Sequence, residues 1–422
     1  MTKLPAKSIY FIRSAVADFN SGLIFTSIWV LYFNVMKLSL VDISLLYIVI
    51  TFSNFVLEIP TGVLADRYSR RLSVLTGGLF IGIAFLAMGV FPIFGVVLLT
   101  GLIEALGDTC ISGALQAWIT DEVGEDQVGA VFLRGSQISI PANWAGVMLS
   151  ILLAAWLNYQ VPIILGGILW IALTLFLAFC MPEVNFHPNT TSPFVTGRSL
   201  FSPFKASLES YRNGLRLVKV SSILQTLFIS ILLGSAFADA FYKFSRAAIL
   251  QDFVPPVVTL PLLGILKDNF WIGALEVLQG LFCLVGAELI RRKVQLNRRS
   301  ASARTLFVIY SLVAAALLVF VLTGRFGLAL AAWVMVSGLQ DLARPIMQTW
   351  LNQNIPSDIR ATVLSISSQT GMLGTLGSST GLGAFGDRFG VRSALGLSGV
   401  LLLPILLIYA LNARTPPTQE KL

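Results

Sequence analysis

Long apolar stretches alternate with short polar segments along the whole chain. We count twelve such stretches, each of about 20 residues, the length that an α-helix needs to cross the hydrocarbon core of a bilayer. The runs are too long for barrel strands and lack strict alternation of polar and apolar residues. The pattern therefore predicts an all-α integral membrane protein with twelve transmembrane helices.

The predicted spans form two blocks of six. In the first block they are 8–33, 41–64, 72–91, 94–120, 132–156 and 162–181, and in the second 223–250, 270–290, 305–323, 326–350, 362–385 and 393–411. A polar break between the blocks predicts three parts: an N-terminal six-helix bundle (1–181), a cytoplasmic linker (182–222), and a C-terminal six-helix bundle with a short tail (223–422). The linker holds an apolar stripe from Phe204 to Val218, flanked by basic residues, that is typical of an amphipathic helix on a membrane surface.

The two blocks also resemble each other in sequence, which indicates a pseudo-symmetric repeat. Several residues around the fourth and fifth spans recur at one offset around the tenth and eleventh. Gln116, Trp118, Asp126, Ser136 and Gln137 recur as Gln348, Trp350, Asp358, Ser368 and Gln369. Repeats of this kind place the binding sites of many secondary transporters near the bilayer midplane.

Composition and charge fit this architecture. The chain is 56% hydrophobic and 12% charged, with a mean hydropathy of +0.82, so that a soluble domain would have no place for its apolar surface. Most of its 29 Lys and Arg fall in alternate loops and in the tails, which predicts that both termini are cytoplasmic in a prokaryotic inner membrane. This topology and contact with anionic lipid explain the net charge of +8 without a nucleic-acid partner.

Several kinds of chemistry lack their usual signatures. Cys110, Cys180 and Cys283 fall inside predicted spans without disulfide or metal-ligand spacing, and His187 is the single histidine. The sequence has no GxxxxGK[ST] loop for ATP. We therefore expect no metal, no cofactor and no enzymatic activity, and we expect the protein to be a monomer.

A short basic loop joins the second and third spans and reads G-V-L-A-D-R-Y-S-R-R. We interpret it, with two acids at the inner end of the fourth span, as a latch that stabilises one access state and breaks in the other. The predicted latch residues are Gly62, Asp66, Arg67, Arg70, Arg71, Asp121 and Glu122. Asp66 would cap or pair with a helix end in the other half. Pro60, just before the loop, should bend or end the second helix, and a solvated loop that only sets topology is the alternative.

This loop resembles the signature between helices 2 and 3 of the major facilitator superfamily, with Ser69 where that family usually has a second Gly. The resemblance covers nearly the whole chain. Within the superfamily the chain is most similar to twelve-helix drug:proton antiporters of the tetracycline and macrolide efflux type. The motifs that carry this are E-I-P-T-G-V-L-A-D-R (58–67), Q-A-W-I (116–119) and F-L-R-G (132–135).

Charged residues inside the spans of the first half are the candidates for proton coupling, since such residues rarely face lipid. Asp18 lies well inside the first span, where it either faces a cavity or is a structural hydrogen-bond or ion-pair partner. Glu104 and Asp108 are four residues apart in the fourth span and therefore share one helix face. Two carboxylates so close disfavour double ionisation, which suits proton exchange, unless an Arg or hydroxyls of a neighbouring helix satisfy them.

The second half has its own charged stripes. Asp239 and Lys243 can neutralise each other within the seventh span, which would leave Arg246 near the outer end to meet water. Asp341 and Arg344 can pair in the tenth span. Each pair is either structural or a gate that breaks during the cycle. Glu276 and Gln279 in the eighth span are further candidates.

Together these features predict a secondary active transporter that works by alternating access. The leading interpretation is export of a small amphipathic compound driven by protons, with Asp18, Glu104, Asp108, Asp239, Asp341 and Arg344 around the central cavity. Uptake or facilitated movement of a metabolite or lipid is a second interpretation. A sensor or scaffold on the same fold, which would not transport, is a third.

Overall fold

The computed structural model describes residues 4–186, 222–253, 255–260, 264–266, 268–293, 299–353 and 360–413. The amphipathic helix predicted for Phe204 to Val218 lies outside these residues, as do His187 and Asp358. Apart from one short antiparallel hairpin, the described elements are helical.

Six long helices make up the first half. They are α1 (Ala6–Val30), which continues as a π-helical turn (Leu31–Val35), α2 (Leu40–Arg67), α3 (Arg70–Val90), α4 (Phe94–Val123), α5 (Glu125–Trp156) and α6 (Gln160–Cys180). Each helix corresponds to one predicted span, and several begin earlier or end later than predicted. The backbone hydrogen bonds of an α-helix close within the segment, which is what lipid demands.

The second half begins with α7 (Ser222–Gln251) and a hairpin of β1 (Val258–Leu260) and β2 (Gly264–Leu266). Its later elements are α8 (Asp268–Lys293), α9 (Arg299–Leu322), α10 (Phe326–Gln353) and α11 (Arg360–Phe389). The last predicted span is divided into α12 (Val391–Ser398) and α13 (Leu402–Ala413) by a turn of 3₁₀-helix (Gly399–Leu401).

Within the described residues, 11 segments are long and apolar enough to cross a membrane. The predicted span at 362–385 is also helical, as part of α11, but its many Gly and Ser make it less apolar than the other spans. The predicted all-α membrane fold is therefore confirmed, and the count of twelve spans is approximately supported.

Pro60 does not end α2, because the helix continues to Arg67. Prolines also lie inside α5 and α10, at Pro141 and Pro345. Each removes one intrahelical hydrogen bond, a loss that neighbouring hydroxyls and helices offset in membrane proteins. Next to Pro60, the hydroxyl of Thr61 donates to the carbonyl oxygen of Leu57 at 2.8 Å and lies 3.1 Å from that of Thr109.

The contacts divide the chain into two compact units. The first contains the described residues of Met1–Leu38, Val49–Leu208 and Pro256–Gly273, and the second those of Ser39–Ile48, Glu209–Pro255 and Ala274–Leu422. In the first unit α1 packs on α5, and α3 packs on α4 and α6; in the second α7 packs on α11, and α9 on α10 and α13. The predicted domain limits at 181 and 223 remain a prediction.

The start of α2 belongs to the second unit, where Asp387 binds it. The two carboxylate oxygens of Asp387 accept from the backbone N–H groups of Leu40 and Val41 at 2.9 and 3.1 Å. A carboxylate at a helix N-terminus satisfies donors that have no partner within the helix and complements the helix dipole. The C-terminal end of α11, which contains Asp387, therefore anchors the first residues of α2.

Close helix contact in the first unit depends on two glycines where α1 meets α5. A Cβ atom at Gly22 would overlap the carbonyl oxygen of Asn143, and one at Gly146 would overlap that of Phe19. Small residues let helix backbones approach in this way, and in lipid such packing is a main source of association. This crossing holds the first helix, with its charged residues, against α5.

We expect Gly146→Ala to destabilise the protein by about 1–3 kcal/mol, because the added methyl group meets backbone that cannot move independently. Thermal unfolding in detergent would measure the loss. Gly113→Ala is the matched control, since a Cβ atom there meets no other atom within 4 Å; equal stability of the two variants would contradict the close-packing account.

Candidate functional site

The first unit holds a group of charges inside its spans, which we call the first-unit cluster: Arg13, Asp18, Glu104 and Asp108. Arg13 lies within electrostatic range of Asp18 and Asp108, and Asp108 within range of Glu104. The structure therefore brings the three predicted acids of α1 and α4 into one neighbourhood. Arg13 lies in the N-terminal part of α1, and its guanidinium carbon is 5.8 Å from the ring centre of Trp170.

Within the cluster, α5 holds Asp18 in place. The hydroxyl of Ser139 donates to the Asp18 carboxylate at 2.5 Å, and the side-chain amide of Asn143 donates to the Asp18 backbone oxygen at 3.2 Å. Asp18 is thus a hydrogen-bond partner of α5 through one carboxylate oxygen, and no described residue donates a hydrogen bond to the other. A short hydrogen bond to a charged acceptor is worth about 1.5–3 kcal/mol.

The remaining polar groups of this region are poorly satisfied within the part of the chain that the structure describes. Among the described residues no hydrogen bond reaches the carboxylate of Glu104, which is half-buried, or that of Asp108, which is exposed, and Arg13 Nε is buried without a hydrogen-bond partner. Asn20, two residues after Asp18, is 0% exposed, and neither polar atom of its amide is hydrogen bonded to a described residue. Buried polar groups without partners are costly and indicate that water, protons or a ligand complete the site.

The second unit contains a cavity of about 800 Å³ between α7, α9, α10 and α11. Its wall combines two charged groups, several amides and hydroxyls, and apolar side chains. The polar and aromatic lining residues are Ser230, Ser235, Asp239, Tyr242, Tyr310, Gln340, Arg344, Gln348, Ser367, Ser368 and Thr375. A mixed wall of this size suits a small amphipathic molecule.

One charge on the cavity wall is already neutralised. Lys243 Nζ lies 2.6 Å from Asp239 Oδ2, and Ser378 Oγ donates to the same oxygen at 2.8 Å. The ammonium group also lies 4.4 Å from the ring centre of Tyr47, and the whole Lys243 side chain is 1% exposed. The pairing predicted from the four-residue spacing is therefore present, supported by contacts from two other helices.

Arg246 does not meet water as its sequence position suggested. It is 2% exposed and forms an ion pair with Glu276 of α8. Its guanidinium stacks 3.8 Å from the ring centre of Tyr242 and lies 5.3 Å from that of Trp333. The expectation was wrong because the partner is on another helix, which spacing along α7 cannot reveal.

Asp341 and Arg344 of α10 are only loosely paired. Arg344 Nη1 lies 3.6 Å from Asp341 Oδ1, beyond hydrogen-bond distance. The two side chains are 71% and 35% exposed, and Asp341 also accepts a hydrogen bond from Gln279 of α8. Arg344 therefore remains accessible on the cavity wall.

The predicted latch residues gather on one side of the first unit. Arg70 forms ion pairs with Asp66, at 3.4 Å, and with Asp121 of α4. Glu122 accepts from the backbone N–H of Val184 at 2.8 Å, and Arg71 donates to the carbonyl oxygen of Ala178. The loop thus ties α3, α4 and the end of α6 together; the pairing of Asp66 with a helix end of the other half stays a prediction.

Not every predicted latch residue has a polar partner there. Arg67 lies over the ring of Tyr68, with 5.4 Å between its guanidinium carbon and the ring centre. Gly62 faces open space, since a Cβ atom there would meet nothing within 4 Å. Arg67 and Gly62 therefore do not take part in the ion pairs that join Arg70 to α4.

Glu183 also binds this loop, although the sequence did not predict it as a latch residue. Its carboxylate accepts from Ser69 Oγ at 2.6 Å and from the backbone N–H of Arg71 at 2.9 Å. Ser69 Oγ in turn accepts from the backbone N–H of Leu72 at 2.9 Å as the N-cap of α3. Ser69, which stands in place of the usual glycine, thus caps α3. The sequence feature that could have indicated Glu183 is its position as an acid two residues after a predicted span.

No group of three or more His, Cys, Asp or Glu side chains close enough to hold a metal ion occurs in the described part of the chain. The two arrangements with functional potential are therefore the first-unit cluster and the second-unit cavity. The first offers carboxylates inside a span, and the second offers space with a polar and apolar wall.

Comparison with known proteins agrees with the helical arrangement. The sequence model of the Major Facilitator Superfamily matches residues 10–381. Over 411 residues the chain is 25% identical to YxaM of Bacillus subtilis strain 168, an uncharacterised MFS-type transporter, with 96% of this chain and 95% of YxaM covered.

Solved structures share the fold. The nucleoside transporter NupG superposes with a TM-score of 0.73 at 13% identity, covering 96% of this chain and 99% of NupG. A bacterial homologue of the human lysosomal transporter Spinster, inward-facing and unoccupied, gives 0.73 at 14% identity, covering 97% of each chain. At these identities the similarity concerns the fold alone.

We expect that removing one partner of the Asp239–Lys243 pair destabilises the protein more than removing both. Asp239→Asn leaves the ammonium group of Lys243 buried and uncompensated, and we expect a loss of about 3–5 kcal/mol. The double variant Asp239→Asn, Lys243→Met removes both charges and should recover most of that loss, as thermal unfolding in detergent would measure. Additive losses in the double variant would contradict the pairing.

Proposed function

The chain belongs to the Major Facilitator Superfamily and is a membrane transporter, and from this premise we propose that it exports small amphipathic compounds in exchange for protons by alternating access. Protons would be exchanged at the first-unit cluster and substrate would bind in the second-unit cavity. We further propose that the protein works as a monomer in a prokaryotic inner membrane, with both termini cytoplasmic.

The first-unit cluster is the observation that carries the proton-coupling proposal. It combines three acids with one base, and Glu104 and Asp108 have no described hydrogen-bond partner. Glu104 and Asp108 lie one helical turn apart, and in a medium of low dielectric constant two negative charges at that spacing repel, even with Arg13 near Asp108. Binding a proton removes that repulsion and losing it restores the repulsion, so the protonation state can favour one access state over the other.

Asp18 and Arg13 link this pair to the neighbouring helices. Arg13 is attracted by both Asp18 and Asp108. If Asp108 gained a proton, its attraction for Arg13 would weaken and Asp18 would remain the main negative partner of Arg13. Because Asp18 is bonded to Ser139 of α5, such a change would be passed to the crossing of α1 and α5. This path gives a physical route from protonation to helix movement.

The second-unit cavity supports the substrate part of the proposal. Apolar side chains such as Ile231, Met347 and Leu351 lie beside amides, hydroxyls and Arg344 in one wall. An amphipathic compound can bury an apolar body there and still satisfy its polar group. The neutralised Asp239–Lys243 pair would hold the wall in shape.

A second candidate function is uptake or facilitated movement of a metabolite. The solved relatives that share the fold include a nucleoside transporter and a POT family transporter bound to 5-aminolevulinic acid. Direction of net flux in vesicles of known orientation separates this candidate from export. A scaffold without transport would show no flux for either type of compound.

Glu104→Gln and Asp108→Asn should each lower proton-driven transport by more than about tenfold, since each removes a proton-exchanging group. Substrate exchange without a proton gradient should continue. Proteoliposomes with an imposed pH gradient would measure both, using a panel that includes tetracycline, erythromycin and diphenylacetate.

Glu288→Gln is the matched control for these variants, because Glu288 is also an acid inside a span but belongs to the second unit. It should retain both activities. Proton-driven transport that persists in both cluster variants would remove Glu104 and Asp108 from the coupling role.

Asp66→Asn should change the balance of access states, because it removes one of the two partners of Arg70 in the latch. With Ser235→Cys as a reporter in the cavity and the native cysteines replaced, labelling by an impermeant maleimide should rise from one face and fall from the other. Arg134→Gln, a charge change on an exposed part of α5, is the control. Labelling rates that stay the same on both faces would refute the latch.

A further inference from the structure

We propose that Arg344 binds an anionic group of the substrate, so that the compounds carried in the second-unit cavity are amphipathic acids. This inference rests on the proposed function, because it names the substrate class of the same transporter. It follows from the charges that line the cavity and from what each already binds.

The negative charge of the cavity wall is already compensated by a positive charge of the protein itself. Asp239 is held by Lys243 at 2.6 Å and by Ser378 at 2.8 Å on one carboxylate oxygen. Lys243 is 1% exposed and also lies over Tyr47. A cationic ligand at Asp239 would add a second positive charge beside the buried ammonium group of Lys243, so the pair disfavours a cation there.

The positive charge of the wall is available. Among the described lining residues Arg344 is the one base, and its side chain is 71% exposed. Asp341, its described partner, lies 3.6 Å away and accepts a hydrogen bond from Gln279 as well. The guanidinium group has five N–H donors in a planar fork that matches a carboxylate, and among the described residues none accepts a hydrogen bond from it, since Asp341 lies 3.6 Å away.

The neighbours of Arg344 on α10 extend this polar stripe. Gln340 and Gln348 lie four residues before and after it, and all three side chains line the cavity. Residues at this spacing share one helix face, so two amides flank the guanidinium where a carboxylate would lie. Ala343, Met347 and Leu351 line the same cavity and offer an apolar surface to the body of the ligand.

Three probes with one apolar body and different charges test the proposal: diphenylacetate, diphenylacetamide and diphenylethylamine. Equilibrium binding of labelled diphenylacetate to the purified full chain in detergent, with the other two as competitors, would give their relative affinities. We expect the acid to bind at least about tenfold more tightly than the amide or the amine, the gain of one charge-assisted hydrogen bond.

Arg344→Gln should lower the affinity for diphenylacetate at least about tenfold and leave that for the amide nearly unchanged. Asp341→Asn should retain or increase acid binding, since it removes a competing carboxylate. Arg325→Gln is the matched control, because it deletes an equal charge from an exposed loop position. Arg344→Lys keeps the charge and should retain part of the affinity even if Arg344→Gln folds poorly.

The proposal is overturned if the folded wild-type protein does not bind diphenylacetate, or binds the amide or amine equally well. It is also overturned if Arg344→Gln binds the acid as the wild type does. Binding in detergent involves neither a proton gradient nor a direction of flux. Failure of proton-coupled export with the acid preference intact would therefore reject the proposed function alone, and the reverse pattern would reject this inference alone.

Discussion

The need to compensate charge inside an apolar medium governs this molecule. Ionised groups in a membrane-spanning segment are costly unless another charge, a hydrogen-bond donor or water stabilises them. The second unit satisfies this requirement with dedicated contacts. Lys243 has Asp239 and the ring of Tyr47, and Arg246 has Glu276 together with the rings of Tyr242 and Trp333.

The first unit satisfies the requirement less completely. Asp18 is bonded to Ser139, whereas Asp108 has Arg13 as a nearby base, Glu104 has Asp108 as its charged neighbour, and neither acid has a described hydrogen bond. Groups that are fully compensated resist a change of charge state, and groups that are not can gain or lose a proton at smaller cost. This contrast is the physical basis for assigning proton exchange to the first unit and substrate binding to the second.

The sequence predicts those features that depend on spacing within one helix. The spans follow from the length of apolar runs, and the Asp239–Lys243 pair follows from a four-residue step. Contacts between distant segments could not be predicted, because spacing along one helix does not say which helices are neighbours. Arg246 with Glu276, Arg71 with Glu183, and Asp387 with the start of α2 are of this second kind.

Coupled export as proposed depends on proton exchange at the carboxylates of the first-unit cluster. Infrared difference spectra of the purified protein, recorded as the pH is stepped, detect the carbonyl stretch of a protonated carboxyl group directly. We expect a band that changes with pH in the wild type and is lost or shifted in Glu104→Gln or Asp108→Asn. A spectrum in which no carboxyl band depends on either residue would contradict it.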